Sequence, residues 1–377
     1  MGKLGMKRLV WLPLCAALAG AAWGSPSGRA VAAEAARYGV RRVANPRYAA
    51  NELFVSHEDL RSKRFDELRK RYKVDKAVAG ETDEWKRILL LRHWINSQMP
   101  VGDPTVGGDA FRLLDYARGG GKSQCGQHMV VQNAVMNAYG YVTRCLGAGA
   151  GLTKEDRGGH HGVNEIWSNT HCKWVLSDAK YDIHFEKNGA PLSALEVRDE
   201  LLRDRGKSVK IVQGPERKVY EGTGIEARVG TYRWISWEIQ GNRHSGWGQF
   251  FSSALVVLED DYFRKHTWYR DHRPHWAYRA GYFVKTRHRG WIEWTPNVLS
   301  VRARRNAKGI GVSISSCTPN LKEYQMRESA GGEWRRVERS FTIARDALTQ
   351  ARHEWRLRSV NMAGVAGPEH RLVIERQ

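Results

Sequence analysis

Cys125, His161 and Asp178 are the residues of this chain whose types and spacing point to covalent chemistry. Cys125 lies in the stretch GGGKSQCGQHMVVQNAVMNAYGYVTRC, where Val131, Ala134, Val135 and Ala138 recur at the spacing of a buried helix face. The spacing predicts a helix of about four turns that opens at Cys125, with Ser123 as its N-cap and Gly140 as its left-handed stop. A thiol in a first helical turn faces unpaired N–H groups and the positive end of the helix dipole, which favour thiolate. A lone helical cysteine is more often a small core residue, so the neighbours decide the matter.

The neighbours come about 35 residues on, in HHGVNEIWSNTHCKWVLSDAKYD, which reads as two strands joined by the polar turn Ser168, Asn169, Thr170, His171. A hairpin centred between Asn169 and Thr170 sets Trp167 opposite Cys172, Glu165 opposite Trp174, Val163 opposite Leu176 and His161 opposite Asp178. Opposed side chains touch, and a slip of one residue would turn His161 to the other face, where this pairing puts His160. The three residues then have the roles of nucleophile, base and orienting carboxylate. The backbone N–H of Cys125 would meet the oxyanion, with Gln124 or an upstream Trp as second donor.

These blocks resemble the transglutaminase-like superfamily of papain-fold enzymes. Its pattern has a glycine-led Cys opening a helix, a Gly and an Arg at the helix end, a His-x-x-x-Glu strand and a Trp-Val-x-x-Asp strand. Cys125, Gly140 and Arg144, His161 and Glu165, and Trp174, Val175 and Asp178 match it in order and spacing over about residues 80 to 190. Val163 stands where an aromatic is commoner, and Gly126 where a larger residue often follows the nucleophile. The resemblance implies an α+β fold with a papain-like/transglutaminase-like core. It also implies a Cys125–His161–Asp178 triad acting on peptide or carboxamide bonds through a thioester, with no cofactor and no metal.

The elements that must position this site come in helix-then-strand order, which is itself an α+β signature. Glu58 to Tyr72 reads as an amphipathic helix, Thr82 to Met99 as a stronger one and Asp109 to Arg118 as a short one before the glycine turn. Residues 231–294 hold Trp234, Trp237, Trp247, Trp268, Trp276, Trp291 and Trp294, a density that suits core packing more than a binding groove. His244, His266, His272, His275 and His288 lack metal-ligand spacing. From Thr295 the texture becomes alternating strands: Gly309 to Ser315, Glu323 to Glu328 and His353 to Val360. The ending, with Trp355, Leu357 and Ser359 before Asn361, Ala363, Gly364, Gly367 and Pro368, resembles fibronectin type III modules, which implies a C-terminal β-sandwich for spacing or adhesion.

Lys3, Lys7 and Arg8 precede the apolar run Leu9 to Ala22 and small residues at Ala22 and Gly24, the layout of a secretory signal peptide. Cleavage after Gly24 and after Ala33 both fit, and no later stretch could span a bilayer. The expected organisation is therefore a signal peptide over 1–24, a basic segment over 25–75, a transglutaminase-like domain over 76–294 and a fibronectin type III-like sandwich over 295–377. The expected location is secreted or periplasmic. There disulfides persist, and a Cys145–Cys172 bridge and buried free thiols both fit, with Cys317 left over. A metal site from Cys145, His171 and Cys172 has irregular spacing and is the remote reading.

The formal charge is +21, with an excess of +8 over residues 1–75, +7 over 76–290 and +6 over 291–377. A spread of this kind argues for general attraction to acidic surfaces, such as anionic envelope polymers or polysaccharides, and against specific nucleic-acid reading. The expected substrate is a protein or peptide. Gly120, Gly121 and Gly126 beside the nucleophile suggest an approach open to water, which tilts the reaction toward a peptidase or amidase over amine cross-linking. The competing reading is a non-enzymatic protein that holds an envelope ligand on the same scaffold.

Overall fold

The computed structural model describes residues 38–54, 57–149, 160–220, 232–239, 254–261, 282–328 and 331–377. The expected signal peptide, with Cys15 and both cleavage sites, lies outside the described residues, as do Trp247, Trp268, Trp276, His244, His266, His272 and His275. Among the described residues no helix is long and apolar enough to cross a membrane.

The fold is α+β. After a first strand β1 (Tyr38–Arg41) come four helices: α1 (Lys63–Tyr72), α2 (Glu84–Gln98), α3 (Ala110–Arg118) and α4 (Cys125–Ala138). The first starts later than the apolar spacing suggests, because the Ser62 hydroxyl caps it by accepting from Arg64 N. Asp83 and Asp109 cap α2 and α3 through the N–H groups of Lys86 and Arg112. For α4 the cap is Gln124, one residue beyond the expected Ser123. Ser123 is held back because its N–H donates to Pro100 O at 2.7 Å and its carbonyl accepts from Gly102 N at 3.1 Å, which keeps its backbone in a bridge with Val101.

The central sheet follows: β2 (Thr143–Gly149), β3 (His160–Ser168), β4 (Lys173–Asp178), β5 (Ile183–Lys187), β6 (Ala190–Pro191), helix α5 (Ala194–Asp204), β7 (Lys210–Gln213), β8 (Lys218–Val219), β9 (Trp234–Glu238), β10 (Ala254–Leu258) and β11 (Tyr282–Thr286). The described strands are ordered β11–β10–β9–β2–β3–β4–β5–β7–β8, with β6 on β5 and only the β10–β11 pair parallel. Period two along β3 sends Ile166 into a core with Leu68, Ile88, Leu91, Leu113, Val131 and Val135 of α1 to α4. Val163 and Trp167 point the other way, into a core with Trp174, Leu176, Phe185, Trp237, Trp294 and Val197 of α5. The described tryptophans Trp234, Trp237 and Trp294 are therefore packing residues, while Trp291, in the short helix α6 (Arg289–Ile292), is exposed.

The chain ends in β12 (Leu299–Asn306), β13 (Gly309–Ser316), β14 (Leu321–Glu328), β15 (Arg335–Val337), β16 (Ser340–Ala344), β17 (Arg352–Asn361) and β18 (His370–Arg376). One sheet is β12–β13–β16 and the other β1–β18–β17–β14–β15; Ile310, Val312 and Ile343 of the first share a core with Met326, Trp355, Leu357 and Ile374 of the second. The sandwich thus takes its edge strand β1 from the basic N-terminal segment, a pairing of Tyr38 to Arg41 with Val373 to Arg376 that the sequence texture did not announce. It is fastened to the helical layer at Gly140, which takes φ +77° and whose carbonyl accepts from Asn361 Nδ2 at 2.8 Å. A side chain at Gly140 would stand 2.5 Å from Ala363 Cβ.

Candidate active site

The β3–β4 hairpin sets the geometry, and its register differs from the expected one. The turn is Asn169 to Cys172, with Cys172 in the left-handed region, so Ser168 pairs with Lys173, Trp167 with Trp174, Glu165 with Leu176 and Asn164 with Ser177. The pairing is two residues from the one expected, because the turn sits one residue later. The Glu84 carboxylate fixes it there, accepting from Asn169 N and Nδ2 and from Thr170 N and Oγ1 at 2.8 to 2.9 Å. A two-residue shift preserves the face of every side chain, so His161 and Asp178 become diagonal neighbours instead of opposed ones. An imidazole spans that diagonal: His161 Nε2 lies 2.7 Å from Asp178 Oδ2. The backbone of His160 pairs with Gly149, and its side chain lies outside the described residues.

The β3–β4 ladder ends at Asn164–Ser177, and the start of α4 meets β3 just past that point. The two backbones lie close there: a Cβ added at Gly162 would stand 3.5 Å from Gly126 Cα, an ordinary contact distance. Cys125, the first residue of α4, is hydrogen-bonded there to the His161 ring and to the Gly162 N–H. With Nε2 on Asp178, the ring nitrogen left for the thiol is Nδ1. Three side chains from α4, β3 and β4 thus form one line of hydrogen bonds.

Burial pushes the Cys125 thiol up, but the hydrogen bond and charge of His161, the Gly162 N–H and the charge of Lys180 outweigh it and hold the thiol below its ordinary value. For His161 burial acts downward, yet the Asp178 charge and hydrogen bond, with Cys125, push the imidazole up to about 10. Burial raises Asp178, and the His161 charge and hydrogen bond, the Tyr181 N–H and His128 bring it below the usual carboxylate range. All three directions favour thiolate, imidazolium and carboxylate together.

The second carboxylate oxygen of Asp178 accepts from Lys180 N at 3.0 Å and Tyr181 N at 3.3 Å. Helix α2 holds this turn from below: Asn96 Nδ2 donates to the carbonyls of Ala179 and Lys180, Arg92 Nε donates to Asp182 Oδ1 at 2.8 Å, and His93 Nδ1 meets Asp182 Oδ2 at 2.6 Å. Tyr181 stacks on His161 with centroids 5.8 Å apart, and Tyr232 meets it edge-on at 6.4 Å. His128, one turn along α4, ties Gln124 O at 2.8 Å to Met99 O at 3.1 Å. None of these supporting residues was singled out from the sequence; the signals were Tyr181 three residues beyond Asp178 and His128 three beyond Cys125.

Gln124 is placed beside the thiol, but its side chain is occupied. Nε2 donates to Asp103 Oδ1 at 3.0 Å and Oε1 accepts from Lys180 Nζ at 2.8 Å, while its backbone N–H is capped by Gln127 Oε1 at 3.1 Å. The N–H of Cys125, first in the helix, precedes the intrahelical ladder and has no partner within the helix. Trp85, upstream, packs edge-on against His171 and His184.

The remaining cysteines are free: Cys145 is buried and accepts from Asn164 Nδ2, Cys172 donates to Asn169 O, and Cys317 accepts from Asn51 N. The Cys145–Cys172 bridge is not formed. Among the described residues no three His, Cys, Asp or Glu side chains converge as a metal-ligand group. No family model matches the chain, and a search of the curated proteins finds no match.

Proposed function

We propose that this protein is an exported thiol hydrolase of the transglutaminase-like class, acting on peptide or carboxamide bonds. The observation that carries the reading is the unbroken line from the Cys125 thiol through His161 to Asp178, with the thiol at a helix N-terminus and below its ordinary pKa.

In the reaction the Cys125 thiolate attacks the carbonyl carbon and the carbonyl π pair moves to oxygen, facing the Cys125 N–H. The oxyanion collapses, the C–N bond breaks and imidazolium Nδ1–H protonates the leaving amine, which leaves a thioester and neutral His161. Water then gives a proton to Nδ1 as its oxygen attacks; the C–S bond breaks, releasing the acid and restoring thiolate and imidazolium. Asp178 holds the ring so that Nδ1 faces the thiol throughout.

Hydrolysis is favoured over amine transfer by the approach to the thiol. Side chains added at Gly120 or Gly126 would meet no described atom within 4 Å, whereas Gly121 packs on the Tyr116 ring. An open approach admits water at far higher concentration than any amine. The sandwich is assigned a spacing or adhesive role of fibronectin type III kind.

The test is to incubate the protein with glutamine-bearing peptides, with and without a labelled primary amine, and to follow masses. Cleavage or deamidation that disappears in Cys125→Ala is expected. Amine incorporation exceeding both would make the protein a transferase. Slow, equal labelling of Cys125, Cys145, Cys172 and Cys317 by iodoacetamide would leave only a binding role.

A further inference from the structure

The turn after β4 carries a cation to the mouth of the site. Lys180 Nζ donates to Oε1 of Gln124, the residue before the nucleophile, at 2.8 Å, and lies 5.0 Å from the centre of the Tyr181 ring, which stacks on His161. The ammonium is therefore bracketed by the neighbours of the nucleophile and of the base. Its backbone is fixed on both sides, by Lys180 N on Asp178 Oδ1 and by Asn96 Nδ2 on Lys180 O.

What distinguishes Lys180 is its partner. Half-buried lysines elsewhere on the same sheet end on carboxylates, Lys173 on Glu196 and Lys187 on Glu200. Lys180 ends on a neutral amide oxygen, and among the described residues no carboxylate stands within 4.0 Å of it. An amide carbonyl satisfies one of three N–H donors and does not neutralise the charge. The nearest acid in the same hydrogen-bond chain is Asp103, one residue further through Gln124 and exposed to solvent. The Lys180 charge is felt at the Cys125 thiol and at His128.

We propose that Lys180 is a specificity-determining residue that receives a substrate carboxylate, so that the site takes acidic peptides whose negative group adjoins the carbonyl attacked by Cys125. This rests on the thiol-hydrolase reading above and names the substrate class of that site. A carboxylate there would take one of the two Nζ–H donors left open among the described residues without displacing Gln124, and the basic surface of the chain would raise its local concentration.

Two alkylating reagents isolate the effect. Iodoacetamide and iodoacetate form the same S–C bond and expel the same iodide, but only the second carries a carboxylate. His161 attracts iodoacetate in every variant and loss of thiolate slows both reagents alike, so the ratio of the two rates at Cys125 reports the additional cation. Lys180→Gln should lower the iodoacetate/iodoacetamide ratio about five- to ten-fold, Lys180→Arg should restore most of it, and Asp103→Asn should raise it. Peptides with Asp beside the reactive glutamine should likewise lose their advantage over Asn-bearing ones in Lys180→Gln. An unchanged ratio in Lys180→Gln while iodoacetamide still labels Cys125 rapidly would overturn the role of Lys180 and leave the hydrolase reading standing. If Cys125 reacts no faster than the other cysteines with either reagent, the hydrolase reading fails and this inference with it.

Discussion

Strand β3 bears two charged pairs on one face, four residues apart, and their fates differ. At one end Glu165 accepts Arg144 Nε and Nη2 at 2.9 and 2.6 Å, Trp237 Nε1 at 2.7 Å and Ala194 N at 2.7 Å. Arg144 gives its remaining nitrogen to Ile292 O and lies 4.0 Å from the centre of the Trp174 ring. At the other end Asp178 is as fully engaged, but His161 spends one nitrogen on it and turns the other to a thiol. Side-chain exposure is 4% and 1% for Arg144 and Glu165, and 11% and 3% for His161 and Asp178. The two pairs are similarly buried, so burial does not separate structure from chemistry. What separates them is whether every polar atom is used up within the fold or one is left facing a reactive group at the strand's open end.

Changing each carboxylate to its amide is the sharpest way to break this comparison. Glu165→Gln keeps the shape but leaves the Arg144 guanidinium buried without a counter-charge, and should lower unfolding stability by about 3–5 kcal/mol. Urea titration measures it, and a loss under about 1 kcal/mol would mean that the pair is not the anchor described. Asp178→Asn should cost less stability, because His161 can release its proton when the counter-charge is lost whereas the Arg144 guanidinium cannot, and the amide oxygen can still accept from Lys180 N or Tyr181 N. It should nonetheless slow acylation by on the order of 10²- to 10⁴-fold in single-turnover assays, through loss of ring orientation and imidazolium stabilisation.

The pH response sharpens the same contrast. A histidine raised to about 10 in the folded chain contributes stability that is fully present below its unfolded value of about 6.5 and lost as pH rises through about 10. The stability gap between the protein and His161→Ala should accordingly narrow between those limits. Asp178, held low, contributes above its unfolded value of about 3.9 and loses that contribution as pH falls further. Alkylation of Cys125 should rise with a midpoint below the ordinary thiol value of about 8.5, and His161→Ala should move that midpoint upward. An unmoved midpoint would detach the thiol from the histidine.

Much of this was legible in residues 80–190 and less outside them, for physical reasons. Helix α4 was readable because a strong apolar period follows Cys125; its cap was misplaced because a backbone bridge at Ser123, invisible in composition, decides where the helix begins. The juxtaposition of His161 and Asp178 was foreseen through the wrong pairing. Parity of a strand is written in the sequence, whereas register depends on the turn, and here a carboxylate 85 residues away selects the turn. The Arg144–Glu165 contact across β2 and β3, and the loan of β1 to the C-terminal sandwich, are long-range choices with no local signature.

The smallest expected effect lies at the hairpin's closed end. Glu84 is the first residue of α2, where the helix dipole favours its charge, and it gathers the Asn169 and Thr170 donors that fix Ser168 opposite Lys173. Removing it in Glu84→Ala returns those donors to solvent in a partly exposed turn, so the loss should be only about 1–2 kcal/mol. The open end has independent supports: the Asp178 carboxylate on Lys180 N and Tyr181 N, and α2 on the carbonyls of Ala179 and Lys180. Trp167 against Trp174, with centroids 5.9 Å apart, continues to favour the observed register between the two ends. Sites that share no partner contribute nearly additively, so the alkylation rate of Cys125 in Glu84→Ala should stay within about two-fold of the parent. A fall of about ten-fold or more, with melting little changed, would show instead that the turn and the triad move as one unit and that Glu84 sets the chemistry as well as the register.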